Sequence, residues 1–224
     1  MHAVLRTTRI HLAAIAIAAI AVTGLTASPA SAHEIKAGQS CEMSGMVHVN
    51  KGLTYVCMTN AAGKAVWGKG LKKSASKLAI ADPWAKAADS GMSAAFGMLR
   101  NPTAKPITVI AATSPLGSSL QLHEVVMKDG KMVMQQKSGG FKIAPGAMLE
   151  LKPGGNHLMF MGLRKPITAG ALVPVTLIMS DGSQMTFKAL GKVFAGANEN
   201  YDAGHSMSGM SPAPSPSTTA MSMG

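Results

Sequence analysis

Hydrophobic and polar positions along the chain alternate in short runs rather than at helical spacing. Apolar runs of about four to eight residues, bounded by Gly, Pro, Asn, Asp or Ser, predict β-strands. The predicted strands cover residues 53–56, 96–99, 107–112, 120–127, 131–136, 148–151, 157–161, 173–179 and 184–190. Only residues 85–95 have the composition of a helical turn or two. Many short, evenly spaced strands indicate an all-β antiparallel sandwich.

Two Asp-Gly pairs predict hairpin turns within this sandwich. Asp129-Gly130 and Asp181-Gly182 each lie between apolar runs, which is the usual sequence signal of a type I′ turn. If Asp129-Gly130 is a two-residue loop, the register of the first hairpin follows. The predicted partners are Met127 with Met132, Val125 with Met134, and His123 with Gln136.

The same register predicts which side chains of the hairpin share a face, because directly opposed residues point the same way. His123 and Met134 would then be diagonal neighbours, within reach of long side chains. Met127 and Met132 would lie on that face as well. A β-bulge in either strand would reverse this parity.

A second group of soft donors lies in the stretch GGNHLMFMGL. In a strand, His157, Met159 and Met161 would share one face, and Leu158 and Phe160 the other. Thioethers are soft neutral donors that select Cu(I), whereas zinc prefers His, Cys and carboxylate ligands and calcium prefers oxygen. The alternative is ordinary packing, because methionine is a common core residue.

The first 32 residues have the pattern of a secretory signal peptide. Arg6 and Arg9 precede an apolar run at residues 10–25, and Ala30-Ser31-Ala32 is a small-residue cleavage site. An uncleaved membrane anchor is the alternative. No cysteine follows the apolar run as a bacterial lipoprotein requires. We therefore expect an exported protein, located in the periplasm, the cell-wall space or outside the cell.

The two cysteines and the composition divide the rest of the chain. Cys41 and Cys57 are predicted to pair in an oxidising compartment, with a thiolate metal site as the alternative. We predict a small disulfide-stapled β module at residues 33–70, a linker at 71–81 and a main domain at 82–194. Residues 195–224 are rich in Gly, Ser, Pro, Ala and Met and are predicted to be a disordered tail.

The charge balance argues against one class of partner. Signal cleavage would remove Arg6 and Arg9 and lower the formal net charge from +11 to +9. The positive residues are dispersed, apart from four lysines between residues 69 and 77, and aromatic residues are only 4% of the chain. A nucleic-acid-binding protein would concentrate basic and aromatic residues on one surface. We therefore expect only loose attraction to anionic cell-surface polymers.

Three stretches of the main domain resemble the periplasmic copper chaperones called PCu(A)C. They are LHEVVMKDGKMVMQQ, LKPGGNHLMFMGLRKPITAG and VPVTLIMSDG, and the likeness begins at DPWAKA and covers about half the chain. The family pattern is H-x10-M, about 21 residues, then H-x-M. Here ten residues separate His123 from Met134, 22 separate Met134 from His157, and Met159 completes the pattern.

The resemblance implies a cupredoxin-like β-sandwich with a solvent-near Cu(I) site formed by His123, Met134, His157 and Met159. It also implies delivery of copper to the copper-centre subunit of cytochrome c oxidase, or exchange with another copper chaperone. The N-terminal unit resembles a small module of exported actinobacterial proteins with no known activity. Copper storage or detoxification is the alternative role of such a site.

Other soft donors are candidates for additional copper. Met43, Met46 and His48 could form a second site in the module, with packing of a tiny domain as the alternative. The tail offers a further group of donors, and a solvated linker is the alternative there. These tail residues are His205, Met207 and Met210. An exposed N-terminus at His33 after cleavage, or the tail, could chelate Cu(II).

Rival function classes find little support in the sequence. No Ser-His-Asp, Cys-His or paired-carboxylate arrangement stands out, so we expect neither an enzyme nor a small-molecule substrate. A blue-copper carrier needs a cysteine ligand, and the main domain has none. A metal-free, surface-binding β-sandwich stays the main alternative.

Overall fold

The computed structural model describes residues 34–196, so the predictions for the signal peptide, His33, His205, Met207 and Met210 lie outside the described residues. All regular secondary structure in that range is β-strand, which confirms the predicted all-β class. Over the same range, no helix has the length and apolar character needed to cross a membrane.

Fifteen strands make up the described part of the chain. In the N-terminal part they are β1 (Val47–Asn50), β2 (Leu53–Thr59), β3 (Ala65–Trp67), β4 (Leu71–Lys72) and β5 (Ser74–Ala75). They continue as β6 (Ala79–Lys86), β7 (Ser93–Arg100), β8 (Ile107–Thr113), β9 (Gly117–Lys128) and β10 (Lys131–Gln136). The last five are β11 (Phe141–Ile143), β12 (Met148–Leu151), β13 (His157–Leu163), β14 (Leu172–Met179) and β15 (Ser183–Lys192).

Seven of these strands close into a barrel-like sandwich. Their order is β9-β13-β7-β6-β15-β14-β8, and a pairing of β8 with β9 at Ala112 and Leu120 completes the ring. Most pairings are antiparallel, as predicted, but β5 and β6 run parallel to β15. Inward-facing side chains fill the interior as one core that includes Phe141, Phe160 and Leu177.

The N-terminal module is a small sheet held by a disulfide. Strands β1, β3 and β4 all pair with β2, and Cys41 and Cys57 are bonded with their Cα atoms 6.1 Å apart. Closing a loop of this length stabilises the fold by about 3 kcal/mol in the chain-entropy view. The disulfide-stapled module is thus confirmed. Val56 of β2 packs on Ala111 and Ile178, which point outward from the barrel.

The segment predicted as a linker, residues 71–81, is instead strand structure. It contains β4, β5 and the first residues of β6, which pair with β2, β15 and β7 respectively. Its leucines explain the difference, since Leu71 and Leu78 are both buried and Leu78 belongs to the barrel core. The polar residues around these two leucines led to the prediction of a linker.

The helical turn predicted at residues 85–95 is absent, because this stretch joins the end of β6 to the start of β7. Ala85 and Ala95 are direct partners across the two strands, and both are fully buried in the core. Alanine favours helices in isolation, but burial of paired strands outweighs a preference of less than about 1 kcal/mol per residue.

The two predicted Asp-Gly turns differ from each other. Asp129 and Gly130 have φ of 50° and 75°, positive at both positions, as a type I′ turn requires. In the second hairpin only Gly182 is positive, at 88°, and Gly182 N donates to Met179 O at 2.9 Å. This is a three-residue loop with a glycine bulge, and Ser183 donates to the Asp181 carboxylate from its N and Oγ.

Candidate metal centre

The β9–β10 hairpin positions two of the four predicted ligands. Its register pairs Val125 with Met134 and His123 with Gln136, as the two-residue turn predicted. Because no bulge interrupts these strands, the parity argument holds and His123 and Met134 share one face of the hairpin. Local turn chemistry at Asp129-Gly130 therefore fixes this half of the site.

Strand β13 brings the other two ligands alongside. It lies on the side of β9 opposite β10 and pairs His157 directly with His123, and Met159 with Gln121. His157 and Met159 alternate with Leu158, so both point to the face that carries His123. This long-range pairing is not encoded in any local turn.

The shared face is the outside of the barrel wall. Leu122 and Leu158 point into the main core, while Met134 and Met159 belong to a second apolar cluster with Phe96. Partly buried residues complete that second cluster: Trp84, Val125 and Met161. Two thioethers therefore lie in one water-poor patch.

Ring contacts join the histidines to the same patch. The His123 and His157 ring centroids are 5.5 Å apart at 61°, and the Phe96 ring is 6.3 Å from that of His157. The Phe96 ring itself packs on Trp84, with their centroids 4.4 Å apart. The structure thus gathers His123, Met134, His157 and Met159 in one neighbourhood, called here the His/Met cluster.

The His/Met cluster is buried, which differs from the solvent-near site that the resemblance implied. His123, Met134, His157 and Met159 are 0%, 4%, 2% and 7% exposed. Part of the cover comes from the N-terminal module, whose residues 43–45 contact the glutamines beside His123. That module was expected to be a separate unit, so this cover was not predicted.

Hydrogen bonds set the tautomers of both imidazoles. His157 Nδ1 lies 2.9 Å from the carbonyl oxygen of Gly155, which can only accept, so Nδ1 carries the hydrogen. His123 Nε2 lies 2.9 Å from Gln121 Oε1, which also can only accept. The neutral form of each ring then has its lone pair on the other nitrogen, His157 Nε2 or His123 Nδ1, and both of these nitrogens are buried.

The His123 imidazole is held neutral. Burial is the larger cause, and the neighbouring His157 the smaller one, and together they lower the pKa of His123 to about 3. At neutral pH its lone pair is therefore not masked by a proton. A buried neutral imidazole suits metal coordination better than a cationic one.

The donor set as a whole is neutral and soft. Two imidazole nitrogens and two thioether sulfurs match the preferences of Cu(I) and lack the carboxylates or thiolates that divalent ions favour. Within residues 34–196 there is no cluster of three or more His, Cys, Asp or Glu side chains suited to a metal.

The additional candidates in the module fall into different surroundings. Met43 Sδ accepts a hydrogen bond from Gln121 Nε2 at 3.0 Å, beside the His/Met cluster. His48 instead contacts the Trp67 ring of the module, with centroids 6.3 Å apart. Met46 holds the module together through its backbone, because its carbonyl accepts from Cys57 N at 2.8 Å. A second site made jointly by Met43, Met46 and His48 stays a prediction.

Sequence reasoning assigned no role to the polar residues around the histidines, although it paired Gln136 with His123. Gln121 contacts His123, and Gln136 is the cross-strand partner of His123. The signal was available for both, since a residue two positions away on a strand shares the face, and the hairpin register already pointed to Gln136.

Comparison with known proteins identifies one matching family model. The family described as "Putative lipoprotein LpqE-like" matches residues 78–190. A protein named "Putative lipoprotein Lxx21020", from Leifsonia xyli subsp. xyli, is 48% identical over 129 residues, which covers 58% of this chain and 78% of that protein. The residues matched by the family model contain all four members of the His/Met cluster.

Two solved structures with some likeness to this chain contain copper. The copper-bound PCuAC domain from PmoF2 is 19% identical, covers 54% of this chain and 96% of its own, and has a TM-score of 0.44. The solution structure of CuI-DR1885 from Deinococcus radiodurans is 28% identical and has a TM-score of 0.40. The match covers 52% of this chain and 80% of that protein.

Proposed function

The chain belongs to the LpqE-like family, and we propose that it is an exported copper chaperone that binds one Cu(I) at His123, Met134, His157 and Met159. The observation that carries the proposal is the direct pairing of His123 with His157 across β9 and β13. It places two imidazoles beside two buried thioethers. Neither sequence spacing nor composition required that juxtaposition.

The chemistry of binding follows from the neutral donors. Because none of the four side chains carries a charge, bound Cu(I) keeps a single positive charge, which costs less to bury than a divalent ion. Thioethers cannot form disulfides, whereas thiols do so in an oxidising compartment. The site can therefore hold Cu(I) outside the cell without a cysteine ligand.

Release would proceed by ligand exchange rather than by catalysis. An acceptor presenting its own soft ligands replaces one thioether or imidazole at a time, so that the ion is never fully uncoordinated. We propose as acceptor the copper-centre subunit of cytochrome c oxidase or another copper chaperone. We propose no catalytic role for the chain.

Burial of the cluster favours a second role, copper storage or detoxification. Side chains with exposures between 0% and 7% must be uncovered before an acceptor's ligands reach the metal, which slows release. Incubating the copper-loaded protein with an apo copper-centre subunit separates the roles. A chaperone transfers its copper within minutes, whereas a storage protein keeps it until a stronger chelator is added.

Export is proposed from the signal-like first 32 residues together with the lipoprotein names of the family and of the relative. Both cysteines of the chain are joined in the Cys41–Cys57 disulfide. N-terminal sequencing of protein recovered from outside the cytoplasm should give His33 as the first residue. An intact residue 1 in that fraction would contradict cleavage.

The test of copper binding uses volume-matched substitutions in the full chain. Met134→Leu or Met159→Leu removes a sulfur but keeps the apolar volume, so the fold should persist. Competition with a Cu(I) chelator under reducing conditions should show a loss of at least about tenfold in affinity, equivalent to about 1.4 kcal/mol.

The matched control is Met179→Leu, a buried methionine of the main core. It should bind Cu(I) as the wild type does. His123→Ala should lower the affinity further than either methionine change. Wild-type affinity in His123→Ala and Met159→Leu alike would refute the proposed site.

A further inference from the structure

A segment of the N-terminal module rests directly on the residues that flank His123. Met43 Sδ accepts from Gln121 Nε2 at 3.0 Å, and the carbonyl oxygen of Ser44 accepts from Gln136 Nε2 at 2.9 Å. Gln121 precedes His123 by two residues on the same face of β9, and Gln136 faces His123 from β10. The 43–45 segment thus touches both polar neighbours of one proposed ligand.

The fit of this segment is close and requires a glycine. A Cβ atom on Gly45 would lie 3.0 Å from Gln136 Nε2 and 3.5 Å from Gln121 Cγ, and Gly45 has φ of 90°. A side chain there would require the Gln136 amide to move by a few tenths of an ångström and would strain the backbone at this positive φ. Glycine at position 45 therefore lets the segment approach the two glutamines without this strain.

The 43–45 segment is also held in place from within the module. The disulfide fixes Cys41, two residues before Met43, to Cys57. Gly45 N donates to the Cys57 carbonyl, and Cys57 N donates to the Met46 carbonyl, both at 2.8 Å. These bonds anchor the chain on both sides of Met43, so its sulfur occupies a defined position.

The sulfur of Met43 decides how the Gln121 amide is oriented. A thioether can only accept a hydrogen bond, so the NH₂ group of Gln121 faces Met43. The oxygen of the same amide then faces His123 Nε2, at 2.9 Å. An amide oxygen only accepts, so His123 carries its hydrogen on Nε2 and its lone pair on Nδ1. The bond between Gln121 and His123 is buried, so water does not compete for it.

We propose that Gln121 and Met43 are positioning residues that select the Nδ1-coordinating tautomer of His123, which makes the N-terminal module part of the copper site. This rests on the proposed function, because it assumes that His123 binds Cu(I). Outer hydrogen-bond partners of metal-binding histidines typically change metal affinity by about 10- to 100-fold. The module thereby has a role in the chain beyond covering the barrel.

The first test needs no copper. Long-range ¹H–¹⁵N correlation spectra of the ¹⁵N-labelled, metal-free protein report which nitrogen of each imidazole carries hydrogen. The wild type should show His123 hydrogenated at Nε2. Gln121→Leu should shift His123 toward the other tautomer, and Gln121→Glu, which still accepts a hydrogen bond, should restore Nε2–H. An Nδ1–H tautomer in the wild type would overturn the proposal.

The second test compares volume-matched methionine variants of the full chain. Met43→Leu should loosen the tautomer preference and lower Cu(I) affinity, by less than the roughly tenfold loss expected for Gln121→Leu. Met58→Leu, in the same module, is the control and should change neither. The role of Met43 would be overturned if Met43→Leu and Met58→Leu had the same His123 tautomer and the same Cu(I) affinity. Failure of the proposed copper site would appear separately, as an unchanged Cu(I) affinity in His123→Ala and Met159→Leu.

Discussion

His123 is a buried imidazole whose chemistry is set by its neighbours rather than by solvent. Burial and His157 lower its pKa to about 3, and Gln121 fixes its hydrogen on Nε2. The protein therefore maintains a neutral nitrogen donor, and this lowers its folding stability at acidic pH. This loss of stability can be measured on the metal-free protein.

The expected pH dependence follows from the direction of this shift. In the unfolded chain a histidine titrates near its ordinary pKa of about 6.5, whereas folded His123 stays neutral down to about 3. Below pH 6.5 the unfolded state takes up a proton that the folded state refuses, so stability falls as pH falls toward 3. At pH 5 the loss attributable to His123 is about 2 kcal/mol.

Urea unfolding of the metal-free protein at pH 7.5 and pH 5 measures this loss. His123→Gln removes the titrating group while keeping a polar side chain, so its stability should fall less between the two pH values. Identical decreases in wild type and variant would mean that His123 does not cause this loss. His157, which faces His123 from β13, is present in both proteins.

At the scale of elements, the β9–β10 hairpin extends the row of thioethers to the surface. Met127 and Met132 are direct cross-strand partners, 65% and 50% exposed, on the face that carries Met134. Exposed methionines are not core residues, so the packing alternative does not account for them. If the cluster binds Cu(I) as proposed, we expect Met127 and Met132 to lie on the path by which the ion enters and leaves.

Replacing both exposed methionines should slow the transfer of Cu(I) without changing the affinity for Cu(I). The double variant Met127→Leu with Met132→Leu keeps all four proposed ligands, so its equilibrium affinity should match the wild type. Stopped-flow transfer of Cu(I) to a chelator should slow about tenfold, equivalent to about 1.4 kcal/mol in the barrier. Met148→Leu is the matched control, since Met148 is also 65% exposed but lies on β12. Wild-type transfer rates in the double variant would exclude the path.

At the scale of the whole molecule, the excess of positive charge is spread along the chain, apart from the four lysines between residues 69 and 77. The formal net charge is +11 for the full chain, from 21 basic and 10 acidic residues. A dispersed charge gives weak, non-specific attraction to polyanions that salt screens, with a Debye length of about 10 Å at 0.1 M. Such attraction would keep an exported protein near an anionic cell surface.

Retention on an immobilised anionic polymer, such as polyglutamate, tests this description. The wild type should bind at low salt and elute as salt is raised. A variant with the four exposed lysines at positions 69, 72, 73 and 77 changed to glutamine should elute earlier but still bind. Complete loss of retention in that variant would show that the charge acts through one local patch.

The sequence by itself determined those features that depend on neighbours along the chain. Asp129-Gly130 set the turn, the turn set the register, and the register placed His123 and Met134 on one face. The soft donors themselves, and the disulfide, were likewise readable from residue types. Each of these depends on short-range sterics or on side-chain chemistry, which a sequence states directly.

Only the tertiary structure decided which distant segments became neighbours. The pairing of β13 with β9 placed His157 opposite His123, and the contact of Met43 with Gln121 joined the module to the site. The burial of Ala85 and Ala95 in paired strands likewise replaced a predicted helical turn. Such contacts are selected by the total apolar surface buried over the whole chain, and no local pattern encodes that sum.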